Sequence, residues 1–403
     1  MDIEFEDILN KEIIRQNESI VLIASENYAS KSVRIAQGSI FTNKYAEGYP
    51  GKRYYGGCEY VDQIEILAIQ RAKELFGAEH VNVQPHSGAQ ANMAVYSALF
   101  DSNSVIMSLP LDHGGHLTHG SKVNFSGKLY NFEFYNVDRE TEQIDYDALE
   151  KQVQTVNPQA LLSGFTAYPR EIDFERIKSI CEKTDCMMIV DMAHISGLVA
   201  AKLHSDCVKY ADVVTSTTHK TLRGPRGGII LSKNIYSKSI DKAVFPNIQG
   251  GPMMHTIGAK AVAFAEASTK EFVKYQKLVI NNAKQLGKLL SAEGLRIVTG
   301  DTDTHMILVD VTPFQLTGKI AEEKLAEVGL IVNRNTIPYD TNPPRVTSGI
   351  RIGTPAISTR GMNAEAIVII ADCIIGILTG REESKLIKNK VKELANKFPI
   401  DLA

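Results

Sequence analysis

The sequence predicts an α/β protein with a mostly parallel central sheet and a smaller α+β domain at its C-terminal end, and three observations carry that reading. Short apolar runs alternate with helical stretches from Val81 to Leu231, the pattern of strands joined by crossover helices. The helix opening near Ala89 is apolar almost all round, as a helix covered on both sides inside an α/β domain should be. Beyond about Ser268 the texture changes to a long Lys-bearing helix followed by short strands. With 403 residues, the chain is more than twice the length of a common ~150-residue domain.

Taken in order, the first sixty or so residues are rich in Gly, Tyr and Asn between Asn43 and Tyr60. Their periodicity is weak, so they read as an irregular N-terminal arm that can reach a partner subunit. From Ile64 the apolar positions Ile64, Leu67, Ala68, Ala72 and Leu75 recur at helical spacing, and Gly77 follows where a left-handed residue ends a helix. Strands are expected over Val81–Val83, Ser104–Leu109, Ala160–Ser163, Cys186–Val190, Asp212–Thr215 and Gly228–Leu231. The last domain should hold a helix with Leu286, Leu289 and Leu290 closed by Gly294. After it come strands Leu295–Val298 and Met306–Val311, helix Ile320–Val328 ended by Gly329, and strand Leu330–Asn333. The expected segments are therefore 1–60, 61–268 and 269–403.

Composition narrows the function class. The net charge is −3, so neither sign is in the excess that recruits nucleic acid or anionic lipid. The acidic start, Met1 to Asp7, lacks the basic stretch and apolar core of a secretory or transit leader. The most apolar stretch, Ala366 to Leu378, is broken by Asp372 and falls short of the ~20 residues a membrane helix needs, so it reads as a buried helix. Five cysteines without a CxxC pair suit a reducing compartment better than a disulfide framework or a zinc site. A cytoplasmic protein without membrane or nucleic-acid partners is expected.

Chemistry concentrates at three predicted strand ends. The run Asp212 to Thr217 passes straight into Thr218, His219 and Lys220. A lysine placed rigidly at a strand end can form a Schiff base with a carbonyl, although a lone lysine is ordinarily a solvated surface group. Upstream, Met187 to Val190 delivers Asp191 to the same kind of edge. Such an Asp can pair with a pyridine nitrogen and keep it protonated, or simply cap a helix. Third, Val81 to Val83 leads into Ser87, Gly88 and Ala89 at a helix start, a cradle for an anion or an ordinary cap. It is neither a GxGxxG nor a Walker pattern. The loop containing His113, His116 and His119 tempts a metal reading, but its glycines argue for a turn and no partner cluster of Cys or carboxylates is evident, so no metal is expected.

These residues, with Leu22 to Tyr28, Thr42 to Gly57, Gln249 to Pro252 and Val346 to Pro355, resemble the serine hydroxymethyltransferase family, a fold-type-I group of pyridoxal phosphate enzymes. The resemblance runs nearly end to end. It implies a homodimer that transfers the hydroxymethyl carbon of L-serine to tetrahydrofolate, leaving glycine and 5,10-methylenetetrahydrofolate; the alternative is another fold-type-I enzyme such as a threonine aldolase. Residues 61–268 would be the cofactor-binding large domain, 269–403 the small domain and 1–60 the arm and dimer segment.

By the same resemblance Lys220 holds pyridoxal 5'-phosphate as an internal aldimine, Asp191 pairs with its ring nitrogen, and His116 stacks on the ring. Ser87, Gly88 and Ala89 cradle the phosphate, while Tyr45, Gly250 and Gly251 reach it from the other subunit. His194 and Thr166 contact the oxygen side of the ring. Arg351 takes the substrate carboxylate, with Ser25 and Tyr55 beside the substrate, and Glu47 handles its proton. Thr217 and His219 flank the lysine, and His219 is tied to substrate choice. On residues alone, Tyr45 and Tyr55 read as arm packing and Glu47 as a solvated turn, while Arg351 reads equally as one half of a salt bridge. For folate, Leu111, Gly115, His116, Leu117 and Asn335 match. Pro343, Pro344 and Arg345 stand where bacterial members often carry Ser-Pro-Phe, a departure at the folate edge. Thr166 keeps the hydroxyl where Ser is frequent.

Overall fold

The computed structural model describes residues 2–401. The chain divides into two compact units, residues 29–276 and residues 1–28 together with 277–403. The first sixty residues are thus shared between the units, and the later boundary falls at 276. The physical reason is strand pairing, because Ile20–Val21 lies parallel to Leu330–Ile331 and Ile20 and Leu22 enter the smaller unit's core.

The larger unit is built on a seven-stranded sheet in the order His80–Asn82, Gly228–Ser232, Val213–Thr217, Met187–Asp191, Ala160–Ser163, Val105–Ser108, Asn131–Phe134. Only Gly228–Ser232 runs antiparallel to its neighbours. The chain passes from Val105–Ser108 to the edge strand Asn131–Phe134 and returns on the opposite side as Ala160–Ser163, so the strand order reverses between these two. Open α/β sheets bind ligands outside the carboxyl ends of strands at such a reversal. Asn131–Phe134 was not among the expected strands. It alternates exposed and half-buried residues at an edge, so its apolar signal is half that of a central strand.

Helix Gly88–Leu99 covers one face of this sheet, packing Ala91, Ala94, Val95 and Tyr96 against Ile106, Leu162, Ile189, Val213 and Ile230. Each Ile or Val so buried contributes about 1.5–3 kcal/mol. The predicted helix from Ile64 extends over Glu59–Phe76, and Gly77 closes it in the left-handed region at φ +69°.

The smaller unit is α+β. Its four antiparallel strands follow the order Arg296–Ile297, Met306–Asp310, Gly349–Gly353, Asn333–Asn335. The apolar stretch noted at Ala366 lies in helix Ala364–Thr379, started by the Asn363 side chain and buried along Ile367, Ile370, Ile374 and Ile377. Among the described residues no helix is long and apolar enough to cross a membrane. The arm corrects the irregular reading in part. Ile3–Glu18 is a regular helix capped by Asp2, with no buried residue, although Phe5, Ile8, Leu9 and Ile13 recur in it at helical spacing. The stretch 44–58 contains only the two-residue strands Gly48–Tyr49 and Lys52–Arg53.

Candidate active site

Three strand ends of the larger unit deliver the chemistry. Val213–Thr217 leads into a turn closed by Arg223 N donating to Lys220 O at 3.1 Å, by Gly224 N to Thr218 O at 2.7 Å and by Thr218 N to Gly227 O at 3.1 Å. Lys220 is buried in that turn. The next residue ties it to the neighbouring strand end, since Thr221 Oγ1 donates to His194 O at 2.8 Å and receives Gly197 N at 2.9 Å. Thr217 is buried beside it, with Oγ1 3.4 Å from Ala193 O. His219 is held neutral: burial, helped by the charges of Arg226 and Lys220, lowers its pKa to about 3.

Asp191 ends the adjacent strand, 8% exposed. Oδ2 accepts from Asn92 Nδ2 at 2.9 Å and His119 Nε2 at 3.1 Å, and Oδ1 accepts from Ala193 N at 3.0 Å. The His119 tautomer follows from its other nitrogen, which receives His116 N at 3.3 Å, so the proton sits on Nε2 and is given to the carboxylate. Thr215 Oγ1 in turn donates to Asn92 Oδ1 at 2.6 Å. Burial opposes ionisation of Asp191, but the hydrogen bond from His119, the polar imidazoles of His119 and His116 beside it and the Asn92 amide outweigh it. They hold the carboxyl well below its usual range. This is a buried negative charge at the carboxyl end of a central strand.

The fold also supplies the carboxylate that the histidine loop lacked in sequence. Ligand atoms of His116, His119 and Asp191 lie within 4.8 Å of one another. Three donors already occupy the Asp191 oxygens, and His116 Nδ1 is taken by Thr118, whose Oγ1 lies at 2.7 Å and whose N donates at 3.2 Å. The cluster therefore works as a hydrogen-bond relay that aims two imidazoles. The loop itself is docked by Thr166 N and Ala167 N, both donating to Gly114 O, at 2.8 and 3.1 Å. Thr166 and the Gly114 turn thus meet at the strand reversal, where Gly164, at φ +102°, lies so close to the Asp191 carbonyl that a Cβ would overlap it.

The third strand end is the anion cradle. Ser87 caps helix Gly88–Leu99, its hydroxyl accepting from Gln90 N at 3.1 Å. The first N–H groups of a helix have no partner within it and face outward with the positive end of the dipole. Gly88 is required by the neighbouring lysine turn, since a Cβ there would come within 2.7 Å of Thr217 Cγ2. His194 is buried, 2% exposed, and its carbonyl anchors Thr221 as described.

A second group gathers around Glu47. Glu47 Oε2 accepts from Tyr55 OH at 3.3 Å, the rings of Tyr45 and Tyr55 meet edge-on at 5.3 Å, and a Cβ on Gly250 would lie 3.0 Å from Glu47 Oε1. A Cβ on Gly251 would lie 3.1 Å from the Tyr45 ring. Tyr45, Glu47, Tyr55, Gly250 and Gly251 therefore form one cluster within a single chain. It is open where the Asp191 network is closed, with Tyr45 and Tyr55 56% and 47% exposed. The charge of Glu47 raises the pKa of Tyr55, which keeps its proton at neutral pH. Leu111 and Leu117, 46% and 44% exposed, flank Gly115, whose N donates to Pro110 O at 2.9 Å.

Ser25, Arg351, Asn335, Pro343, Pro344 and Arg345 belong to the smaller unit. Arg351, in strand Gly349–Gly353, is 7% exposed and donates through Nε to Asn333 Oδ1 at 3.2 Å. Burial lowers its pKa to about 10, so it remains a cation. Ser25 follows Ala24, against which Gly353 packs too closely for a Cβ. Asn335 ends its strand with Nδ2 donating to Thr336 O at 2.7 Å. Pro343 O caps the following turn, accepting Val346 N at 2.8 Å and Thr347 N at 3.0 Å.

Sequence reasoning missed Asn92, Thr215, Gln249 and Lys260. Gln249 bridges the cradle loop, accepting His86 N through Oε1 and donating to Gln84 O, both at 3.0 Å. The one signal for Asn92 was a polar residue among Ala91, Met93, Ala94 and Val95 on a mostly apolar helix.

A family model described as serine hydroxymethyltransferase matches residues 1–374 of the chain.

Proposed function

The chain belongs to the serine hydroxymethyltransferase family, and from that premise we propose the roles that its own residues play in the reaction. The activity is transfer of the hydroxymethyl carbon of L-serine to tetrahydrofolate, with pyridoxal phosphate as cofactor. No observation favours the aldolase alternative. The convergence of Lys220, Asp191 and the Ser87 helix start at carboxyl ends of one sheet carries the assignment of roles.

The donor set fits the cofactor. A buried ionised carboxylate suits a protonated pyridine nitrogen, and a helix start with small residues suits a phosphate. Lys220 would hold the cofactor covalently, Asp191 would pair with the ring nitrogen, and Ser87, Gly88 and Ala89 would take the phosphate. His116, His194 and Thr166 would bound the ring, with Tyr45, Gly250 and Gly251 adding to a phosphate site of the other subunit. When bound, pyridoxal phosphate supplies an electron-accepting ring that stabilises a carbanion.

The remaining steps belong to the chain. Arg351, a buried cation, binds the substrate carboxylate, with Ser25 nearby in sequence to its supporting segment. Glu47 takes and returns the proton of the serine hydroxyl, and Tyr55 donates to its carboxylate and steadies it between the two states. His219, neutral by burial, offers a hydrogen-bonding ring beside Lys220 without a competing charge, and Thr217 buttresses the turn. Leu111, Gly115, Leu117, Asn335 and the segment Pro343 to Arg345 form the folate edge.

A homodimer is the working assembly on this reading. What supports it is the run of large apolar side chains left exposed in the first sixty residues, including Ile3 at 83%, Ile40 at 83%, Tyr54 at 73% and Tyr60 at 70%, surface that a partner subunit would cover. The free, buried cysteines suit a cytoplasmic location. The testing experiment is glycine formation from L-serine by purified protein, with and without tetrahydrofolate. Release of glycine that depends on both added cofactor and folate is expected, and serine turnover indifferent to folate would overturn the assignment.

A further inference from the structure

The loop from His80–Asn82 into helix Gly88–Leu99 turns main-chain carbonyls to the side away from the helix end, and one buried side chain collects them. Lys260, on helix Met254–Ala267, is 1% exposed. Its Nζ donates to Val83 O at 2.6 Å, Gly228 O at 2.8 Å and Pro85 O at 3.1 Å. Three acceptors match the three protons of an ammonium, whereas a neutral amine has only two to give. Yet among the described residues this ammonium has no carboxylate partner. Glu65, the acidic group that acts on it through space, is itself bonded to Arg53 at 2.6 Å and to Gln84 at 2.8 Å.

The position of this charge gives it meaning. A Cβ on Gly227 would lie 2.6 Å from Lys260 Cε, and a Cβ on Gly228 would overlap the Ser87 carbonyl. Lys260 therefore stands directly behind the two backbone segments that frame the Ser87 helix start. Gly228 N also donates to Pro85 O at 3.0 Å, so the same carbonyl that Lys260 holds is locked to the strand beside it. A buried cation lacking a counter-charge is costly, and burial lowers the Lys260 pKa to about 7.

We infer that Lys260 is a positioning residue for the cofactor's phosphate: it holds the cradle's carbonyls inward so that the helix-start amides face the anion, and the phosphate is the counter-charge its buried ammonium lacks. The inference rests on the assignment of the phosphate to Ser87, Gly88 and Ala89. Lys260 touches neither substrate nor the reacting atoms, so its effect should follow the phosphate and not the ring.

The experiment compares binding of pyridoxal phosphate and of pyridoxal, the same ring without phosphate, to apo-protein carrying Lys260→Met, Lys260→Gln or Lys260→Arg. Removing the charge in the Met and Gln variants should cut the preference for the phosphorylated ring by about 10- to 100-fold, the range of one charge-assisted interaction. The Arg variant should keep it within about threefold. The Gln variant retains donors for two carbonyls and carries the test should the Met variant fail to fold. An undiminished preference in Met and Gln variants overturns the inference, and so does equal loss of both ligands, which signals a collapsed loop. Ser87→Ala separates the two assignments. A reduced preference there with none at Lys260 overturns the Lys260 inference alone, while unchanged preferences in both overturn the cradle with it.

Discussion

The Asp191 network and the Glu47 cluster both present a carboxylate, and the fold treats them in opposite ways. Asp191 ends a central strand, is almost fully buried and accepts from Asn92, His119 and Ala193, while Thr215 fixes Asn92 behind it. Glu47 lies in a turn, half-buried, and accepts from Tyr55 at 3.3 Å. Three donors on a buried carboxylate fix its charge, because protonation would strand each donor. A half-buried carboxylate with one long hydrogen bond stays open to a further partner. A permanent charge is what a cofactor ring needs, and a movable proton is what a hydroxyl substrate needs.

The contrast breaks most sharply at Lys220 and Asp191. On the proposed roles, Lys220→Ala should lower turnover by more than about 10³-fold, and Asp191→Asn by on the order of 10³-fold, since each would remove a group that holds the cofactor through every later step. Steady-state rates of glycine formation read both. Glu47→Gln should cost about 10²-fold in turnover while leaving pyridoxal phosphate affinity within about threefold. An equal loss of affinity would erase the division of labour between the two carboxylates. His119→Asn should cost about tenfold, as loss of a supporting hydrogen bond behind a bound group does, and should shift the visible spectrum of the holoprotein because Asp191, the proposed partner of the ring nitrogen, loses a donor. Tyr55→Phe should be the mildest, about fivefold in turnover, with the cofactor spectrum unchanged.

A pH measurement sharpens the same comparison from the side of stability. The folded-state pKa of His219 is lowered to about 3, so below the unfolded value of ~6.5 the unfolded chain binds the proton that the folded chain refuses. Its contribution is complete above pH ~6.5 and is lost as the pH falls toward 3, at about 1.4 kcal/mol per pH unit. His219→Asn should therefore flatten the decline of thermal stability between pH 6 and pH 4. A slope equal to that of the unsubstituted protein would show that His219 protonates freely in the fold.

The parts of this site that sequence made legible are those built locally. Lys220, Asp191 and Ser87 each follow an apolar run, and a polar residue closing such a run announces a strand end. The parts it left hidden arise from convergence. Asn92 meets Asp191 across 99 positions and Lys260 meets Val83 across 177, distances over which no spacing rule operates. Arm residues were hard for a different reason, since Ile3–Glu18 carries Phe5, Ile8, Leu9 and Ile13 at helical spacing but buries none of them within the chain, so its apolar face marks no core. The edge strand Asn131–Phe134 was lost because its apolar residues alternate with Asn131 and Glu133 over only four positions.

On the proposed roles one of two buried lysines, Lys220 and not Lys260, meets the cofactor while the other supports it from behind. Reducing the holoprotein with borohydride and mapping the modified peptide by mass spectrometry tests this directly. The account expects a single pyridoxyl label on Lys220, with Lys260 unmodified; a label on Lys260, or on any lysine outside the turn Thr218 to Arg223, would contradict it.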